Sequence, residues 1–211
     1  VLAWSVALIK FRIIWRNRVW KTDPIALSVW LAMLFFAITM TFLVESIASV
    51  FDALTFNNLS RLIAYASVSL TLFFIMASSL YTFKTSQGMR IFRLIIPLLV
   101  ANLFCLIILY ARYISQIPEW QDHHVPQDLA EALFMLTLYL FSFSLCLILV
   151  TQNIRYLYRE KALLMRIRVM TIILTALSAG FYFAVKVILV GGYFWTPLSS
   201  DSLVSLSKLL L

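Results

Sequence analysis

Five apolar runs, each long enough to cross a lipid bilayer, leave this chain few folds to choose from. A bilayer core is about 30 Å thick, and an α-helix needs about 20 apolar residues to cross it. Residues 24–44, 59–83, 94–114, 129–152 and 169–190 each meet that length. Soluble domains are roughly half apolar and about a quarter charged. This chain is 63% hydrophobic and 12% charged, so lipid is its expected solvent. Only helices and closed barrels satisfy every backbone group in lipid, and runs this long predict helices. The expectation is one all-α domain over residues 1–211, a polytopic transmembrane helical bundle.

Both ends extend the pattern. Residues 1–9 are apolar and lead into Lys10, Arg12, Arg16, Arg18 and Lys21, which reads as the inner end of a first helix whose outer part is missing. Residues 203–211 read as the start of a seventh span, cut short. The plan is therefore seven spans with truncated first and seventh helices. The chain starts at Val1 and shows no signal-peptide pattern, so both ends read as trimmed. Asp23-Pro24 has the chemistry of a helix start, with Asp as N-cap and Pro in the first turn. Residues 45–60 read as a short loop. Gly88 reads as a helix stop, Pro97 falls in the first turn of the fourth span, and Gly191-Gly192 closes the sixth.

The charges orient the bundle. The connections alternate between basic and acidic. One set holds thirteen of the 17 basic residues, in the N-terminal segment, in 84–93 and in 153–168, with only Asp23 and Glu160 beside them. The other set holds seven of the nine acids: Glu45, Asp52, Glu119, Asp122, Asp128, Glu131 and Asp201. By the positive-inside rule the basic set faces the cytoplasm, which puts the N-terminus outside and the protein in the plasma membrane. The net charge of +8 then sets topology and meets anionic inner-leaflet lipid; it does not point to nucleic acid. The segment 155–168, where basic residues alternate with Leu, Met and Ile, reads as a surface helix on the inner leaflet or as a helix extension.

Candidate functional groups lie near the outer ends of the spans. Glu45, Arg61, Arg112 and Lys186 come from four helices at similar height, with Lys186 the deepest. Ionisable groups inside a span usually face the bundle or water. The four have two readings: an outward-facing charged vestibule for a small anionic ligand, or long side chains that snorkel to the headgroups. Mid-span polar groups are few. Asn102, Ser67, Ser69, Thr71, Thr175 and Ser178 read as contacts between helices or to their own backbone. Cys105 and Cys146 read as small buried hydrophobes. His123-His124 beside Asp122 reads as an exposed loop rather than a metal site. Trp120, Tyr193, Phe194 and Trp195 read as an interfacial aromatic belt. No cofactor motif and no catalytic motif is present, so no enzyme is expected.

The stretch Asp52-Ala53-Leu54-Thr55-Phe56-Asn57-Asn58-Leu59-Ser60-Arg61-Leu62-Ile63-Ala64-Tyr65 resembles the outer loop and third helix of a bacterial seven-helix membrane family common in actinobacteria. That family carries a D-x-L-x-x-x-N-L-x-R-L pattern there, and its members are often labelled as transporters. The resemblance implies a seven-helix plan and a cytoplasmic tail after the last helix. It marks Asn58 and Arg61 as motif positions without assigning them a role. Seven-helix sensory modules of bacterial receptors have a similar plan. The functional expectation is a sensory or signalling module for an extracellular or membrane-borne cue. The alternatives are a small-solute transporter, hinted at by Asn102 and Gly180, and a structural partner in a membrane complex, with Ser178-Ala179-Gly180 as its contact face.

Overall fold

The computed structural model describes residues 2–16, 23–83, 86–117, 126, 129–158 and 160–195. Of these, 92% are helical. The helices are α1 (Leu2–Arg16), α2 (Pro24–Phe42), α3 (Glu45–Leu54), α4 (Leu59–Phe83), α5 (Ser86–Arg112), α6 (Leu129–Leu157) and α7 (Leu163–Trp195), with a 3₁₀ turn at Ile114–Gln116 after α5. Five of them, α2 and α4 to α7, are long and apolar enough to span a membrane. The chain is thus a membrane protein built as a helical bundle. Helix α1, at 15 residues, is too short to count among those spans.

Local chemistry sets several ends. Asp23 caps α2 as expected: its Oδ1 accepts from the backbone N–H of Ile25 (2.9 Å) and of Ala26 (3.1 Å), and Pro24 fills the first turn. Other ends differ from the expectation. Gly88 lies within the first turn of α5, and α7 runs through Gly191-Gly192 to Trp195. Because α5 starts at Ser86 rather than at residue 94, Pro97 sits well inside the helix. The solvent explains the run through Gly191-Gly192. In lipid an unpaired backbone group costs several kcal/mol, of order 4–8 in an alkane-like solvent, whereas glycine in a helix costs about 1 kcal/mol, so the helix continues. The basic stretch after residue 153 is taken up largely by helix: α6 ends at Leu157 and α7 starts at Leu163. Arg166 and Arg168 therefore ride on a helix extension and do not form a separate surface helix. The expected loop 45–60 contains α3, whose Phe51 meets Phe42 of α2 edge-on at 4.9 Å.

Packing sorts the helices into inside and outside. Half of the α4 and α6 spans is buried, against 22% of α2 and α5 and 17% of α7. Helix α5 shows how the sequence produces this. Ile95, Leu99, Asn102, Leu106 and Tyr110, three or four residues apart, form its buried stripe. Leu94, Leu98, Phe104 and Ile107 are exposed on the rest, and an apolar outer surface is what a lipid-facing helix needs. Cys105 belongs to that exposed face, contrary to the expected burial; Cys146 is buried.

Successive spans run in opposite directions. Ser69 of α4 meets Asn102 of α5, while Asn57 at the start of α4 meets Tyr110 near the end of α5. Tyr65 stacks on Phe134, and Ser79 bonds Asn153, so α4 and α6 are parallel. Tyr139 meets Phe183, and Cys146 meets Gly180, which makes α7 antiparallel to α6. A Cβ added at Gly180 would stand 3.3 Å from the Cys146 Cβ, so the glycine is what lets these two helices approach. The most extensive contacts are α2 on α4 and α6 on α7, with α5 packed against both α4 and α6. The α2–α7 pair is not among the helix pairs in substantial contact. Two core clusters fill the interior. One surrounds Tyr65, Phe134 and Leu138 toward the Asn58 end, and the other surrounds Phe73, Met76 and Leu149 toward the Asn153 end.

Candidate functional site

The motif 52–65 folds into a clamp that joins three helices. Asp52, on the last turn of α3, accepts through Oδ1 from the Ser60 backbone N–H and through Oδ2 from the Ser60 hydroxyl, both at 2.7 Å. It thereby caps α4 from outside. Asn58 holds the turn between them at φ +59°, in the left-handed region that asparagine tolerates better than most residues. Its side-chain amide donates to the carbonyls of Ile114 (2.9 Å) and Ile117 (2.8 Å), which lie past the last turn of α5. Both amide hydrogens are thus engaged. The Tyr110 hydroxyl donates to the Asn57 carbonyl (3.0 Å) from the same side. The spacing Asp52–Asn58–Ser60 is explained by this geometry: one residue caps, one turns and one receives.

The helix directions carry Glu45, Asn58, Arg61, Arg112 and Lys186 to the same end of the bundle, where they differ in exposure. Glu45 is exposed at the start of α3, and Arg112 is exposed at the end of α5. Arg61 is buried in the first turn of α4, and Glu131, which sequence reasoning counted only as a loop acid, is buried in the first turn of the parallel helix α6. Both make polar or electrostatic contacts. Lys186 is half-buried, with its ammonium 5.8 Å from the centre of the Tyr182 ring one turn earlier, in cation–π range.

Lys186 lines a cleft in the side of the bundle, and Glu45, Asn58, Arg61 and Arg112 are not on its lining. The cleft measures about 410 Å³ and lies between the α2–α4 pair and the α6–α7 pair. Its floor is Ala64, Tyr65, Leu138, Tyr139 and Phe183, all buried. Its mouth is Phe36, Met40 and Leu43 on α2 and Tyr182 on α7, each more than 40% exposed. The cleft therefore opens sideways, through exposed apolar side chains of the kind that face lipid. Thr39 and Thr71 also line it, but their hydroxyls donate to carbonyls of their own helices, Phe35 and Ser67. The rest of the lining is apolar or aromatic, with three tyrosines and one cationic group, Lys186. The five aromatic and aliphatic floor residues carry no motif, which is why the sequence did not reveal this cavity.

Polar contacts elsewhere act as helix glue, as expected for Asn102. Its Nδ2 donates to Ser69 Oγ at 3.1 Å, while its Oδ1 and the buried Ser142 Oγ on α6 have no hydrogen-bond partner among the described residues. Thr175 and Ser178 bond back to their own helix. Asn153 was read as the start of a basic connection. It is instead fully buried, accepting from Ser79 (3.2 Å) and donating to the Leu149 carbonyl (2.7 Å). At the α6–α7 turn the Tyr156 hydroxyl and the Ala162 N–H both donate to Glu160. These bonds, the one from Tyr156 first, hold the Glu160 carboxyl below its ordinary range. Trp120, Asp122, His123 and His124 lie outside the described residues, and no group of three metal-ligating side chains occurs among the described ones. Compared with protein-family models, curated proteins and solved structures, the chain matches none.

Proposed function

We propose that this chain is a multi-pass sensory module of the plasma membrane that recognises a membrane-borne cue in the cleft between its two helix pairs. The observation that carries the reading is the seam itself. Helix α2 packs closely on α4 and α7 packs closely on α6, while α2 and α7 make no substantial contact across the cleft mouth. Two well-packed pairs joined by a partly open seam form an element that an occupant can bias, because an occupant touching both pairs favours one spacing over others. In this reading the basic end faces the cytoplasm, α1 belongs to a first span, and a seventh span begins near residue 203. The cue enters near the outer end, and the change in spacing is read at the inner end, where Arg155, Arg166 and Arg168 meet the anionic leaflet.

Spin labels test this in a Cys105→Ala background. One pair, at Leu43→Cys and Ile188→Cys, reports the outer side of the seam. A second pair, at Ile25→Cys and Leu164→Cys, reports the inner side. The expected result is that amphiphiles added to the outer leaflet shift both distance distributions together. A shift at the outer pair with none at the inner pair would leave binding without transmission and defeat the sensory reading.

A further inference from the structure

We infer that the cleft takes a single-chain amphiphile with an anionic head, drawn from the leaflet at the Asn58 end, its tail among the floor residues and its head at the Lys186 ammonium. This rests on the reading of the cleft as the recognition site, and it names the class of cue.

Depth is the first argument. Along α4 the lining runs from Ala64 to Ile75, about 16 Å at 1.5 Å per residue. Half of a hydrocarbon core about 30 Å thick is nearly the same length. The cleft is one leaflet deep. Volume is the second. At about 410 Å³ it falls near the low end of the roughly 300–1,000 Å³ of small-molecule sites, which suits one acyl chain better than two.

Chemistry is the third argument. The two threonine hydroxyls on the wall are committed to backbone carbonyls, and Tyr65, the remaining polar side chain on the α2 and α4 walls, is itself engaged, so these walls offer a sugar or a peptide little. A tail has no polar groups to strand there, and its burial is favoured at roughly 25 cal/mol per Å² of apolar surface. Lys186 is the one cationic side chain on the lining, and it lies nine residues before the end of α7, on the Asn58 side of the cleft. An ammonium in this position favours a carboxylate or phosphate over a neutral head. Access is the fourth. The mouth between Met40 and Tyr182 faces the side of the bundle, so the tail enters laterally without crossing water.

The test uses the whole chain in phosphatidylcholine nanodiscs and two photoactivatable sixteen-carbon probes, one a carboxylate and one the matching alcohol. The carboxylate is expected to label the α2 and α4 peptides containing Met40 and Leu72 saturably. Lys186→Gln should weaken its half-saturation by about tenfold, the size of one charged hydrogen bond, while Lys186→Arg keeps it. The alcohol should bind wild type as weakly as the carboxylate binds Lys186→Gln. Equal labelling by both probes, indifferent to Lys186→Gln, would overturn the anionic class and leave the cleft as a lipid site. No saturable labelling by either probe would overturn the occupant and the recognition site together. So would a disulfide forming in native membranes between Met40→Cys and Leu206→Cys, since the chain's own C-terminal segment would then fill the cleft.

Discussion

The two sides of the α4–α6 layer are built differently. On the α5 side, hydrogen bonds cross between helices at the bundle end, from Asn58 to Ile114 and Ile117, and again at mid-height, from Asn102 to Ser69. The α4–α6 contact carries its own cross-link, Ser79 to Asn153. On the α2–α7 side, the helices flank an apolar cleft whose threonines bond only to their own backbone. In lipid, burying apolar surface gives helices little reason to associate, so close packing and interhelical hydrogen bonds decide which contacts are rigid. The difference is that polar cross-links tie α4, α5 and α6 to one another, while α2 on α4 and α7 on α6 are held by extensive close packing.

The contrast breaks most visibly at Asn58. Asn58→Ala removes two donors from buried carbonyls and leaves a positive φ without the residue that tolerates it, for an expected loss of about 2–5 kcal/mol. Thermal unfolding in detergent measures it; a loss under 0.5 kcal/mol would mean that the clamp holds nothing. Next comes Gly180→Leu, which forces α6 and α7 apart and should cost about 1–3 kcal/mol as overpacking. Val68→Phe, placed in the open cleft, should cost less than Gly180→Leu in the same assay. Equal costs would show the cleft to be as tightly filled as the α6–α7 contact. Asn102→Leu should cost under 1 kcal/mol, near the mean for polar contacts in a membrane, because Asn102 already leaves its Oδ1 unpaired.

The smallest effect concerns pH. The Glu160 carboxyl is depressed by hydrogen bonds made in the folded state, so its contribution is present above the ordinary glutamate range and is lost as pH falls through its lowered value. Because the group is exposed, the change is local. Hydrogen exchange at the Ala162 amide should quicken in acid for wild type, while Glu160→Gln should show a flatter profile.

The spans and the all-helical class were legible because lipid demands long apolar runs whatever their packing. The α2 start was legible because Asp23-Pro24 acts within one turn. The helix end at Gly191 was misread because stop signals calibrated in water lose to the need to pair every backbone group in lipid. The motif around Asn58 stood out as a pattern, yet its role depends on carbonyls 56 and 59 residues away, which no local reading supplies. Lys186 was visible as a charge inside a span. The cleft beside it was not, since Tyr65, Tyr139 and Phe183 are ordinary core residues until four helices are set around them.

Asn102 and Ser142 add a last consequence. One presents an unused acceptor and the other an unused hydroxyl, both within the middle of their spans and shielded from solvent. The resting arrangement therefore falls short of its best polar pairing. Each such group forgoes the roughly 0.6 kcal/mol that a polar contact between helices contributes on average. Energy of that size lies near thermal agitation, so the bundle tolerates leaving both groups unpaired.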